Sequence, residues 1–189
     1  KALSVSEVRE LTSQTVLRLK FEKNALDSSG FGNNAACATF VGASSCPAYV
    51  GGISGEGAAF NGKQFVNIGA SPSLDLRDGL FTLATWVYPT SSTTFPQGIL
   101  GGDSGKAMGL PSLQQVGLKV RFGFGTGTQW LEATTPADVL TLNTWNHVAL
   151  TFDGVTARYF VNGLNVFESS TFNGKKPGQN AGISIGRSS

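Results

Sequence analysis

The sequence predicts an all-β fold: an antiparallel sandwich of two sheets, preceded by a short N-terminal helix. Three observations carry this. Apolar and polar residues alternate in short runs, and a period of two belongs to strands with one buried and one wet face. Asn-Gly and Asp-Gly pairs separate several of these runs, and such pairs tolerate the positive φ of two-residue hairpin turns. Charged residues are only 14% of the 189 residues, with 25 Gly and 13 Phe. That is below the ~25% charged content usual for soluble domains, and it leaves little material for exposed, salt-bridged helices.

The helix is predicted at the start. Ser4 stands three residues before Glu7, which makes a capping box, and Leu3 and Val8 occupy the hydrophobic-staple positions. The pattern ends near Ser13, so residues 1–14 read as a helical segment and 15–189 as the sandwich. In Thr15–Glu22, Leu17, Leu19 and Phe21 face one way, against Arg18, Lys20 and Glu22, which predicts the first strand. Phe81–Tyr88 sets Phe81, Leu83 and Val87 against Trp86 and Tyr88. Val116–Phe124 alternates most cleanly, with Lys119 and Arg121 outward. Trp145–Phe152 and Arg158–Val161 follow, and shorter strands are predicted at Gln64–Ile68, Ile99–Gly101, Trp130–Ala133, Leu164–Glu168 and Ile183–Gly186. Asn61-Gly62, Asp153-Gly154 and Asn162-Gly163 fall between apolar runs as turns. About ten short strands with such punctuation argue for a sandwich and against a parallel sheet.

Composition excludes several functions. The chain has 14 basic and 12 acidic residues and a net charge of +2, with no basic cluster, so nucleic acid is not an expected partner. No apolar stretch approaches the ~18 residues of a membrane-spanning helix. Cys37 and Cys46, the only two cysteines, lie nine positions apart in a small polar loop. Two cysteines do not make a four-thiolate zinc site, and the single histidine, His147, is far away in sequence. A disulfide is the expected arrangement, pointing to an oxidising compartment; the alternative is two free buried thiols.

A glycoside hydrolase needs two carboxyl groups ~5–9 Å apart, which on one strand would appear as acids at i and i+2. None of the 12 acids has that spacing; Glu132 near Trp130 and Glu168 after Phe167 stand alone. His147 has no triad companion in its surroundings and reads as structural. Gly101-Gly102-Asp103-Ser104-Gly105 lacks the lysine of a phosphate-binding loop. A non-catalytic protein is therefore expected. Trp130, flanked by Gly127, Thr128 and Gln129, is the expected exposed tryptophan and the candidate ligand-binding residue, the alternative being a packing role; Trp86 and Trp145 are expected to fill the core or its rim. Asp27-Ser28-Ser29-Gly30, with Asn33 and Asn34, offers hard oxygen ligands for calcium; the alternative is a turn in which Asp27 bonds its own backbone.

Four segments resemble the laminin G-like and concanavalin A-like jelly-roll superfamily: Leu17–Gly30, Gly57–Gly69, Phe81–Tyr88 and Leu142–Asn165. The last is the most specific, carrying Trp145, His147, the Asp-Gly hairpin and the Asn-Gly hairpin in order. The resemblance implies a laminin G-like jelly roll and supports calcium at the Asp27 turn. It also implies one further strand after Ile183–Gly186, which this sequence does not carry before Ser189, whereas Lys1–Leu11 resembles the helical tail that would follow that strand. The resulting expectation is a non-catalytic extracellular module for adhesion or surface and filament assembly. It would be a repeat of a larger protein with strand exchange between subunits, and its partner a glycan or a protein on a cell or matrix surface. The alternative is a carbohydrate-binding module of a larger secreted enzyme.

Overall fold

A computed structural model of the chain describes residues 15–102, 107, 109–179 and 182–187, so the predicted N-terminal helix lies outside the described residues. The strands are β1 (Ala35–Thr39), β2 (Ala48–Gly51), β3 (Glu56–Ala59), β4 (Gln64–Ile68), β5 (Leu80–Val87), β6 (Gln97–Gly101), β7 (Ser112–Val116), β8 (Lys119–Gly125), β9 (Trp130–Thr134), β10 (Asn146–Asp153), β11 (Ala157–Val161), β12 (Leu164–Ser169) and β13 (Ile183–Ile185). A seven-stranded sheet runs β1-β4-β13-β6-β7-β8-β9, and a four-stranded sheet runs β12-β11-β10-β5. All pairings are antiparallel. This is the expected sandwich, with β2 and β3 added as a separate two-stranded hairpin.

The two sheets meet through the side chains that alternation points inward. Leu113, Val120, Phe122 and Phe124 of the larger sheet pack on Leu83, Val148, Leu150, Phe152, Tyr159 and Val161 of the smaller one. Phe172, in the turn after β12, is fully buried and closes this layer, with its ring 5.1 Å from both Phe122 and Phe124. The Tyr159 hydroxyl donates to the Ala133 carbonyl at 2.9 Å, tying β11 to β9 across the core. Burial pushes that phenol's pKa above its ordinary value.

Local chemistry sets the turns. Asn162 and Gly163 both take positive φ, 51° and 82°, between the paired residues Val161 and Leu164. That is the two-residue geometry whose twist matches the flanking strands. Cys37 and Cys46 form a disulfide, which fastens the loop after β1 to that edge strand.

Two strand expectations are corrected, and strands are found where the sequence pattern predicts none. Val116–Phe124 is not one strand: Gly117 takes φ 65° and turns the chain, so Val116 of β7 pairs with Lys119 of β8. β1, β2 and β3 carry small residues whose pattern is too weak to register as strands. Thr15–Glu22 joins neither sheet; its ladder contact is a single bridge from Leu19 to Asp27. Val16, Leu17 and Leu19 still pack against Ile68, Leu74 and Ile183, so the apolar pattern is used. The backbone is occupied by the following turn instead. Arg18 N–H donates to Asp27, Ser28 donates to the Arg18 carbonyl, and Phe21 at φ 58° ends the extended run.

Candidate functional site

The acidic residues do not converge. Among the described residues, no three His, Cys, Asp or Glu side chains are grouped to hold a metal ion. Glu132 is ion-paired with Arg121, and Arg158 is held by Asp153 and Glu168. A shallow depression over the β7–β8 turn contains a single acid, Asp138.

Asp27, Asn33 and Asn34 do come together, but through hydrogen bonds. One Asp27 carboxylate oxygen accepts from the N–H groups of Arg18 and Ser29; the other accepts from the Ser29 hydroxyl and the Asn33 N–H. Asn34 accepts from the Asp27 N–H, and the Asn33 amide donates to the Val16 carbonyl at 2.6 Å. Partial desolvation raises the Asp27 pKa, but the Ser29 hydroxyl and the three backbone donors outweigh it and hold the group at about 2. Each carboxylate oxygen thus takes two donors, the arrangement of a turn in which Asp27 bonds the neighbouring backbone.

Trp130 sits in a different setting. In β9, alternation puts Leu131 and Ala133 against the core, and Trp130 and Glu132 on the opposite, outer face of the large sheet. β8 contributes Arg121 and Gly123 to that face, since Gly123 pairs with Glu132. A Cβ on Gly123 would lie 2.6 Å from the Trp130 ring and 2.6 Å from the Leu131 carbonyl oxygen, so the absent side chain lets the half-buried indole lie on the strand. The indole N–H donates to Glu132 at 2.8 Å, and both Glu132 oxygens accept from Arg121 at 3.1 Å. Beside them in register, Gln114 is 1% exposed. Its Oε1, and the Nε of Arg121, are buried without a partner. The exposed Glu132 carboxylate can accept from hydroxyl groups, and the half-buried ring beside it offers an apolar surface to the rest of a ligand. Arg121, Glu132 and Gln114 were not among the expected site residues. The alternation of β8 does place Arg121 outward, which was the available signal.

The expectation is corrected for Trp86, which is the exposed tryptophan in place of the half-buried Trp130, whereas Trp145 is half-buried, as a rim position requires. Trp86 is exposed at 46%, on the outer face of the small sheet, opposite His147 of β10 with rings 5.1 Å apart. Tyr88 is exposed at 45% and meets Trp145 at 5.5 Å. The reason is visible in β5: Phe81, Leu83 and Val87 face the core, so the period of two sends Trp86 outward.

A family model described as the concanavalin A-like lectin/glucanases superfamily matches residues 47–189. No curated protein matches the chain. Among solved structures, the chain is similar to domain 4 of AbnA, a GH43 extracellular arabinanase from Geobacillus stearothermophilus, in complex with arabinotriose. The identity is 20%, the TM-score 0.69, and the match covers 89% of this chain and 81% of that one. The binding domain of Paraclostridial Mosquitocidal Protein 1 is similar at 13% identity and TM-score 0.67, over 85% of this chain and 41% of that chain. The binding domain of botulinum neurotoxin DC, in complex with rat synaptotagmin II, is similar at 13% identity and TM-score 0.57, over 85% and 40%. These likenesses are likenesses of fold, and this chain spans less than half of each toxin domain.

Proposed function

Since the chain belongs to the concanavalin A-like lectin/glucanases superfamily, we propose that it is a non-catalytic extracellular adhesion module that grips a glycan on the outer face of its seven-stranded sheet. The observation that carries this is the Trp130–Glu132–Arg121 arrangement. An indole fixed by its own N–H bond stands beside an ion pair at the surface of the sheet. Sugar rings present an apolar face for stacking and hydroxyl groups for exactly such donors and acceptors as Arg121 and Glu132 offer. The disulfide supports placement outside the cytosol. No helix among the described residues is long and apolar enough to cross a membrane.

A second reading keeps the same site but attaches it to a larger secreted enzyme, and the likeness to the arabinanase domain favours it. One experiment tests the glycan site and separates the two. The purified chain is screened on a glycan array that includes plant arabino-oligosaccharides beside animal and bacterial surface glycans. Trp130→Ala and Glu132→Gln should each lower the affinity for the best ligand at least tenfold, as expected for an interface anchor. A plant-wall ligand selects the enzyme appendage. No glycan binding, or binding indifferent to both substitutions, refutes the site.

A further inference from the structure

We propose that the depression over the β7–β8 turn is a second saccharide subsite, which takes a neutral sugar residue through Asp138, Lys119, Ser92 and Thr94. The loop between β5 and β6 forms one wall, the loop between β9 and β10 the other, and the turn itself the floor. The depression holds about 430 Å³, a size usual for ligand sites. Every group in it comes from residues 92–138. Val16, Leu17 and Leu19 pack elsewhere, against Ile68 of β4 and Ile183 of β13, and β6 stands between those strands and β7.

The first wall sorts its own hydroxyl groups. The Ser91 hydroxyl accepts from the Thr93 N–H at 3.3 Å, and the Thr93 hydroxyl from the Phe95 N–H at 3.2 Å. Those two are committed to the loop backbone. Ser92 and Thr94, the alternate residues, line the depression, and their hydroxyls have no hydrogen-bond partner among the described residues. The loop is fixed to the turn, since the Gly117 N–H donates to the Thr93 carbonyl at 2.8 Å and the Gln115 amide to the Ser91 carbonyl at 2.6 Å. The second wall is fixed as well. Val139 and Leu140 both donate their N–H groups to the Leu118 carbonyl at 2.9 Å. Asp138, just before them, has no ion-pair or hydrogen-bond partner among the described residues. Every other described acid has one. Lys119 donates to the Pro136 carbonyl at 2.9 Å, which leaves two of its three N–H groups.

This set of groups selects the ligand. One ammonium and one carboxylate balance, so neither an anion nor a metal ion is favoured. Asp138 only accepts, Lys119 only donates, and the two hydroxyls do both. Adjacent sugar hydroxyls donate and accept in turn, and Val116 and Leu118 offer carbon to the C–H face of the ring. The subsite also lies in line with Trp130. Lys119, Arg121 and Gly123 alternate onto the same outer face of β8, and the Trp130 indole lies over Gly123. Four steps of ~3.4 Å separate Gly123 from Lys119, roughly 14 Å, so one linear oligosaccharide can cross both places. That spanning rests on the glycan reading of the Trp130 face; occupation of the depression does not.

The test is a titration followed by backbone amide NMR shifts. The probes are neutral pentoses and hexoses and their linear oligosaccharides, with N-acetylneuraminic acid and glucosamine as the charged comparisons. A neutral sugar should move the amides of Thr94, Gly117, Lys119 and Asp138, in the wild type and in Trp130→Ala alike. Asp138→Ala should weaken that binding about tenfold and Thr94→Val about fivefold. Both positions are exposed and unpartnered, so the melting temperatures should stay at the wild-type value. The oligosaccharide should bind more tightly than the single sugar and lose the advantage in Asp138→Ala. Shifts at the depression that survive while Trp130→Ala leaves oligosaccharide affinity unchanged would sink the Trp130 face and keep this subsite. The subsite is overturned if no neutral sugar moves those amides, if both variants bind as the wild type does, or if a charged sugar binds more tightly than every neutral one.

Discussion

Gly123→Ala tests the geometry of the glycan face without removing any of its functional groups. The new methyl would sit 2.6 Å from the Trp130 ring and 2.6 Å from the Leu131 carbonyl oxygen, about an ångström inside ordinary contact. The carbonyl belongs to the paired strand and yields little, so the indole must lift or the β8–β9 pairing must open. Overpacking of this kind costs about 1–3 kcal/mol. For a chain of this size each kcal/mol moves the melting temperature by about 2–4 °C, so a fall of roughly 2–12 °C is expected. Lifting the ring also breaks its 2.8 Å bond to Glu132. Glycan affinity should therefore fall at least as far as in Trp130→Ala, and tryptophan fluorescence should report a changed environment. Phe172→Ala is the matched control, since it removes a fully buried ring on the other side of the sheet. It should cost about 3–5 kcal/mol while leaving the affinity of the folded protein intact. If Gly123→Ala melts and binds as the wild type does, the indole does not rest on Gly123 and the proposed face is wrong.

Two other regions yield expectations of the same kind. The Asp27 pKa, lowered to about 2 from 3.8, contributes stability that is complete above pH ~4 and lost as pH falls toward 2. Asp27→Asn should flatten that acid limb of the melting-temperature profile, and an unchanged limb would show that the carboxylate is not held by its four donors. Because those donors fill the carboxylate, adding calcium or a chelator should leave the melting temperature unmoved; a rise with calcium would place the ion at this turn. Replacing Cys37 and Cys46 together by serine should cost roughly 2–3 kcal/mol through the loop that the disulfide closes, read by denaturant unfolding.

How far the sequence reveals these features depends on what each residue's position is determined by. The sandwich was legible because strand alternation and Asn-Gly chemistry are local properties; Val148, Leu150 and Phe152 fall inside and Asn162-Gly163 turns as their types dictate. Thr15–Glu22 misled because alternation reports which side chains seek the core, not whether the backbone finds a strand to pair with. The turn at Gly117 was hidden because Leu118, at its tip, also packs against the core and so continued the apolar rhythm. Trp130 was readable as a candidate, but its companions were not. Gln114 and Arg121 come from different strands, and only the β7–β8 register makes them neighbours. Trp86 faces outward as the period of two in its own strand dictates, against tryptophan's general preference for burial.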